Sequence, residues 1–158
     1  MEIERKWVLD APPDGLAEHE SQRFEQGYLV IDPAGAEVRI RRKDGTTTVM
    51  TVKTGMGLVR GEQEWEIDNF DALWPLTEGR RVIKTRYFVP LEGDLMAEVD
   101  IYDGELAGLV TAEVEFPTEA AALAFQAPPW LGRDVTDDKR YGNRVLAVEG
   151  IPTPSASR

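Results

Sequence analysis

Charged residues of like sign, separated by a single residue, recur along this chain. The N-terminal Glu2-x-Glu4-x-Lys6 places two carboxylates and an ammonium on one side of an extended segment, because strand side chains alternate between two faces. The same spacing recurs at Arg39/Arg41, Glu62/Glu64/Glu66, Lys84/Arg86, Glu98/Asp100 and Glu113/Glu115, and Lys53 closes a further extended segment. An ordered series of ionic groups is therefore predicted on a single face.

These residue types suit the binding of a polyanion together with a divalent cation. Guanidinium groups fork onto two phosphate oxygens, whereas a lysine ammonium acts as a point charge. Each such contact near ~4 Å contributes on the order of 4 kcal/mol at an intermediate effective dielectric. Carboxylates supply the oxygen ligands that Mg²⁺ and Mn²⁺ prefer. The pattern indicates a site where a metal bridges carboxylates and phosphates.

A simpler interpretation of any single pair is the solvated face of an antiparallel sheet. The full set fits that interpretation less well, because an ordinary wet face mixes Thr, Ser and Gln with its charges. Here the signs separate by predicted strand. Bases lie on the third, fourth and sixth strands, acids on the fifth, seventh and eighth, and the first carries both. If the charged face points into a closed sheet, opposed bases and acids line a wet interior that can bind a polyanion.

Eight extended segments must position these residues: 2–9, 21–30, 36–43, 46–54, 59–67, 80–90, 94–102 and 109–116. Asp44-Gly45 is a strong two-residue hairpin signal, and 91–93 forms a second hairpin loop. Short helices are expected over 68–79, after Thr118, and before Gly150. Successive hairpins predict an antiparallel sheet, and eight strands can close and so remove exposed edges. We predict a mainly β fold, a closed eight-stranded antiparallel barrel with a charged interior and a few short helices outside.

Composition narrows the class of protein. The length of 158 residues predicts a single domain, residues 1–150, with a flexible tail over 151–158. Because 29 acids outnumber 18 bases, nucleic acid is not an expected partner. Cysteine is absent, which excludes disulfides and thiolate chemistry. No segment reads as a signal peptide or membrane span, so a cytoplasmic protein is expected.

The segment "EIERK" resembles the Glu-x-Glu-x-Lys signature of the CYTH superfamily, the triphosphate tunnel metalloenzymes. The resemblance continues through every charged pair described above. The segment "DVTDDKRYGNRVLA" is similar to the C-terminal part of the small bacterial inorganic triphosphatases. The likeness runs from residue 2 to about 148. It implies a barrel whose central tunnel binds a triphosphate with Mg²⁺ or Mn²⁺.

The resemblance also implies roles for individual residues. The first metal would be held by Glu2, Glu4 and Glu115, with Glu113 close by. The phosphates would be bound by Lys6, Arg39, Arg41, Lys53, Lys84, Arg86 and Lys139. A second metal or a water would be positioned by Glu62, Glu64, Glu98 and Asp100. Two alternatives stay open: Glu62 pairing with a base, and Lys139 serving as an ordinary lysine near Asp137 and Asp138.

Three residues are candidates for the chemical step: Lys53, Tyr28 and Glu64. Tyr28 could hydrogen-bond Lys53 and help deprotonate water, although a buried structural tyrosine is an equal alternative. The opposite alternation of Arg5, Arg42 and Arg81 places them outside the predicted site.

The implied function is metal-dependent hydrolysis of inorganic triphosphate to diphosphate and phosphate. Phosphoryl transfer needs positioning and charge neutralisation rather than an enzyme nucleophile, and we expect in-line attack by a metal-oriented water. Alternatives are a thiamine or other organic triphosphatase, a class IV-type adenylyl cyclase, and a noncatalytic polyphosphate- or nucleotide-binding module. The expected partner is a small triphosphate, without nucleic acid or membrane, and a homodimer is an open alternative.

Overall fold

The computed structural model describes residues 3–56 and 59–153, with side chains for 3–55 and 61–153. Nine strands lie within these ranges: β1 (Glu4–Val8), β2 (Ser21–Ile31), β3 (Glu37–Lys43), β4 (Thr47–Met56), β5 (Val59–Glu66), β6 (Arg81–Pro90), β7 (Met96–Asp103), β8 (Val110–Glu115) and β9 (Arg133–Asp134). Strands β1 to β8 confirm the eight predicted strands to within two residues at each end. Residues 1–2 and 57–58 lie outside the described ranges. The alternation did not predict β9, because two residues are too short to show a period.

The predicted closed barrel is wrong. The strands form one open antiparallel sheet in the order β5-β4-β3-β2-β6-β7-β8-β1-β9, with β5 and β9 at its edges. An eight-stranded closure would need β5 to pair with the free side of β1. That side is partly taken by β9, through the pairs Trp7↔Asp134 and Val8↔Arg133. No ladder joins β5 to β1 within the described ranges. The mainly β class itself is confirmed.

Local signals account for the turns and helices. Asp44 and Gly45 have φ of 53° and 73°, the positive values that a tight hairpin turn requires. The helices are α1 (Phe70–Leu73), followed by a 3₁₀ turn at Trp74–Thr77, then α2 (Glu119–Ala124) and α3 (Asn143–Glu149). The Thr118 hydroxyl accepts a hydrogen bond from the Ala121 amide at 3.0 Å, which confirms the predicted cap of α2.

Apolar residues form two buried clusters. The larger joins the uncharged face of β1, β7 and β8 to α2 and includes Trp7, Val99 and Ala122. The second lies on the other face of the sheet, where Leu146 of α3 packs with Tyr28 and other residues of β2, β6 and β7. The second cluster therefore fixes α3 over the face that carries the predicted ionic residues.

Over the ranges described, no helix combines the length and apolar composition needed to cross a membrane.

Candidate active site

Strand register places the predicted ionic residues on one face of the sheet, which we call the charged face. Cross-strand partners share a face. Lys6 is paired with Glu113 and Glu113 with Glu98. Arg86 is paired with Asp100 in the same way. Among the described residues, this face carries Glu4, Lys6, Glu37, Arg39, Arg41, Lys43, Lys53, Glu62, Glu64, Glu66, Lys84, Arg86, Glu98, Asp100, Glu113 and Glu115. Glu2 lies outside the described residues.

The order of strands arranges these charges by sign. Acidic β5 lies at one edge, followed by basic residues on β4 and β3. Next come the uncharged side chains of β2, the bases of β6, and the acids of β7 and β8. The charged face therefore carries a basic band flanked on both sides by carboxylates.

A buried ion cluster lies where the basic band meets the carboxylates of β7. Asp100 is fully buried, with 0% exposure, and accepts hydrogen bonds from Arg86 Nε and Nη2 at 2.8 and 3.0 Å. Lys84 Nζ lies 2.9 Å from the same carboxylate. Arg86 also lies 3.0 Å from Glu98 and 3.6 Å from Glu113. Both oxygens of Asp100 are thus engaged by cations, and its role as a metal ligand stays a prediction.

The cluster favours the ionised forms of Asp100 and Arg86. Burial opposes ionisation of Asp100, but Lys84 and Arg86 outweigh it and lower the pKa of this carboxyl. Burial also opposes the charge on Arg86, while Asp100, Glu98 and Glu113 raise its pKa above the ordinary value. Asp100 and Arg86 are therefore held together as an ion pair.

A small cavity opens beside this cluster. It has a volume of about 70 Å³ and is lined by Phe24, Gln26, Arg41, Val82, Lys84, Arg86 and Asn143. Burial, and then repulsion from Arg39 and Arg86, lower the pKa of Arg41 against the opposing effect of Glu64. A basic cavity whose cations repel one another is suited to an anion.

Carboxylates line a neighbouring cleft of about 320 Å³, among them Glu4, Glu98, Glu113 and Glu115. Burial raises the pKa of Glu98, and the other carboxylates add to this effect against the opposing Arg86. In the described part of the chain, no three carboxylates converge into a ready metal site. The donors are nevertheless the hard oxygens that suit a divalent cation, and their mutual repulsion is what such a cation would relieve.

The segment after β9 brings Lys139 to the same face. Lys139 lines a cleft of about 270 Å³ together with Glu4, Lys6 and Glu113. Lys6 Nζ donates to the Tyr141 carbonyl at 2.6 Å. Burial lowers the pKa of Lys6, opposed mainly by Glu113. Asp138 pairs with Arg140 at 2.7 Å. The position of Lys139 is thus compatible with its predicted contact to a phosphate.

The candidates of β4 and β5 lie toward one edge of the sheet, where the charge of Glu64 still acts on Arg41. Lys53 lies 3.7 Å from Glu62, as the alternative for Glu62 expected. Glu64 accepts a hydrogen bond from the Thr51 hydroxyl at 2.8 Å. The Tyr28 hydroxyl accepts from Gln26 at 3.0 Å, and burial raises the pKa of this phenol. A bond between Tyr28 and Lys53 is not among the hydrogen bonds found within residues 3–55 and 61–153.

Arginines of opposite alternation lie on the other side, as predicted. Arg5 pairs with Asp134 at 2.8 Å, and Arg42 with Glu25 at 2.8 Å. Arg81 donates to Thr77 at 2.9 Å and stacks over Trp74. These three arginines therefore hold helices and turns against the sheet rather than contributing to the charged face.

Sequence reasoning missed four residues of the basic cavity: Phe24, Gln26, Val82 and Asn143. Phe24 and Gln26 share the alternation of Tyr28 on β2, so the same period of two could have assigned them. Asn143 stands three and four positions before the buried Leu146 and Ala147, a spacing that places it on the sheet-facing side of α3.

Comparison with known proteins gives two relatives of nearly full length, while no family model matches the chain. The inorganic triphosphatase of Nitrosomonas europaea is 47% identical over 149 residues, covering 93% of this chain and 97% of that protein. The inorganic triphosphatase of Acetivibrio thermocellus is 38% identical over 150 residues, covering 92% of each. A crystal structure of an inorganic triphosphatase, 44% identical, covers 97% of each chain with a TM-score of 0.82. The resemblance inferred from "EIERK" and the later motifs is confirmed.

Proposed function

Because this chain belongs to the family of inorganic triphosphatases, we propose that it hydrolyses inorganic triphosphate to diphosphate and phosphate on its charged face. The observation that carries the proposal is the basic band between two groups of carboxylates. A linear anion with several charges can contact bases on β3, β4 and β6 together, which a single phosphate group cannot do. Such contacts position the substrate and neutralise its charge, which are the main requirements of phosphoryl transfer.

The basic residues of the band would bind the phosphates. Arg41, Lys84 and Arg86 line one cavity, and we propose that it receives the terminal phosphoryl group. The two remaining phosphate groups of the substrate would lie between two pairs of bases. One pair is Arg39 and Lys53, and the other is Lys6 and Lys139. Asp100 and Glu62 pair with bases and lie outside the lining of the carboxylate cleft, so we propose that they act as counter-ions.

We propose that the divalent cation, Mg²⁺ or Mn²⁺, is held by Glu4, Glu98, Glu113 and Glu115, with Glu2 as a further ligand. Four of these carboxylates line one cleft, where burial raises the pKa of Glu98 and repulsion from Glu113 and Glu115 adds to the effect. When bound, the cation would neutralise negative charge on the phosphate oxygens.

The chemical step would be in-line attack of a water on the terminal phosphorus. A new P–O bond forms as the bridging P–O bond breaks, so that diphosphate leaves with the bonding electron pair. We propose that Glu64 accepts the proton that the water loses. Two observations support this role: Thr51 orients the carboxylate through a 2.8 Å hydrogen bond, and the charge of Glu64 acts on Arg41 at the cavity. Lys53 on β4 and Tyr28 on β2 would support the same step from the same face of the sheet.

A product assay tests the proposal. The full chain is incubated with inorganic triphosphate and Mg²⁺ or Mn²⁺, with and without EDTA, and both products are quantified. We expect equimolar diphosphate and phosphate that disappear with EDTA. Parallel incubations with ATP and thiamine triphosphate measure the competing activities. Triphosphate left intact in the presence of either metal, or cyclic AMP as the main product from ATP, would overturn the proposal.

A further inference from the structure

One buried polar atom near the basic cavity has no hydrogen-bond partner. Within the part of the chain whose side chains are described, Asn143 Oδ1 is the sole buried side-chain nitrogen or oxygen in this state. Leaving such an acceptor unpaired costs about 1–3 kcal/mol, and such groups are uncommon in folded proteins. The cost calls for a compensating role.

The fold places this amide at the proposed site. Asn143 is the first residue of α3, and the buried Leu146 and Ala147 anchor that helix against β2 and β6. Asn143 lines the 70 Å³ cavity together with Arg41, Lys84 and Arg86. It also lines the cleft that contains Glu4 and Lys6. The residue therefore stands where the basic and acidic parts of the charged face meet.

An acceptor at this position has a specific consequence once a phosphoryl group occupies the cavity. A carbonyl oxygen and a phosphate oxygen repel each other unless a hydrogen lies between them. A water molecule supplies that hydrogen, because it can donate one O–H to the amide while its lone pair faces phosphorus. The cationic and amide side chains that line the cavity are the polar partners that an ordered water requires. A side-chain amide is known to orient the attacking water in other phosphoryl-transfer enzymes.

We infer that Asn143 is a positioning residue whose Oδ1 accepts a hydrogen bond from the water that attacks the terminal phosphorus. This role rests on the proposed function and adds no further proton transfer to it. The water loses its other proton to Glu64, and its oxygen forms the new bond to phosphorus.

The test compares Asn143→Ala with Asn143→Asp, and both with wild-type chain, in steady-state hydrolysis of triphosphate. Asn143→Ala should lower kcat on the order of 100-fold, the scale of a misplaced reactant, with KM changed less than about threefold. Asn143→Asp keeps an acceptor, so its kcat should be at least about tenfold higher than that of Asn143→Ala. Its negative charge should raise KM through repulsion of the substrate. Val148→Ala, at an exposed site of the same helix, is the matched control and should match wild type.

A thermal unfolding measurement separates positioning from a structural role. Removing an unpaired acceptor should leave the Tm of Asn143→Ala equal to or above that of wild type. A fall in Tm that accompanies the loss of activity, a KM effect without a kcat effect, or an unchanged kcat would overturn the inference. If wild-type chain itself releases no phosphate from triphosphate, the proposed function fails and this role fails with it. Active wild type with a fully active Asn143→Ala overturns the role alone.

Discussion

Single residues of the charged face divide into those that pair with one another and those that stay available to a ligand. Asp100 and Glu113 both face this side, yet Asp100 is buried with both oxygens engaged by Lys84 and Arg86, while Glu113, 3.6 Å from Arg86, also lines two clefts. Alternation in the sequence assigned both to the correct face. Alternation could not show which carboxylate is enclosed by bases, because that depends on the distances between side chains of neighbouring strands.

The buried cluster yields a stability prediction. Asp100→Asn leaves two bases with an uncompensated charge in a desolvated position, so the free energy of unfolding should fall by about 3–5 kcal/mol. Urea denaturation measures the change. The matched control is Asp103→Asn, whose partner Arg23 is half exposed, and which should cost no more than about 1 kcal/mol. Equal effects of the two changes would show that Asp100 does not hold the cluster together.

At the scale of elements, the two-residue strand β9 supports β1 and so holds Lys6 in place. The Lys6 amide donates to Thr136 Oγ1 at 3.0 Å, and the Val135 amide donates to the Lys6 carbonyl at 2.8 Å. Six of the eight longer strands were predictable from their alternation of charged residues, and the other two from extended segments bounded by turn residues. The short strand was not, because its position depends on the tertiary ion pair between Arg5 and Asp134.

A glycine substitution tests how closely the backbone directly before β9 lies to β1. Gly132 has φ of 82°, and a Cβ there would collide with the Val8 carbonyl oxygen. Gly132→Ala should therefore cost about 3 kcal/mol or more, the sum of backbone strain and overpacking. Gly79 has the same φ with open space around it, so Gly79→Ala should cost only about 1 kcal/mol. Chemical denaturation of both variants decides, and similar losses would contradict the close contact.

The ion pair at β9 predicts a dependence of stability on pH. Partial burial raises the pKa of Asp134, but hydrogen bonds from Thr136 and Arg5 outweigh this and leave the pKa below its ordinary value. The folded state therefore binds this proton less readily than the unfolded state. The stabilisation is present above about pH 4 and is lost as the pH falls through the lower folded pKa.

Denaturation of wild type and Asp134→Asn between about pH 2 and pH 7 measures this contribution. The difference should be about 1 kcal/mol or less at neutral pH, because the carboxylate is 40% exposed, and should shrink toward the acid end. Asp10→Asn, at an exposed position, provides the control. A difference that grows as the pH falls would contradict the sign of the predicted shift.

At the scale of the whole molecule, the sequence predicted which residues share a face of the sheet but not whether the sheet closes into a barrel. Closure into a barrel depends on which strand covers each edge, and β9 takes part of the edge that β5 would have needed. Alternation within strands carries no information about this competition. The face itself is preserved in the open sheet, because register alone brings its charges together. Function was therefore predictable where the overall closure was not.

The central claim is that triphosphate is hydrolysed on the charged face, and adjacent arginines on β3 test it most directly. Arg41 lines the basic cavity, whereas Arg42 points to the opposite face and pairs with Glu25 and Asp71. Metal-dependent phosphate release should fall about 100-fold or more in kcat/KM for Arg41→Ala. It should stay within about threefold of wild type for Arg42→Ala once both variants are shown to be folded. Equal losses in the two variants, or full activity in Arg41→Ala, would contradict the account.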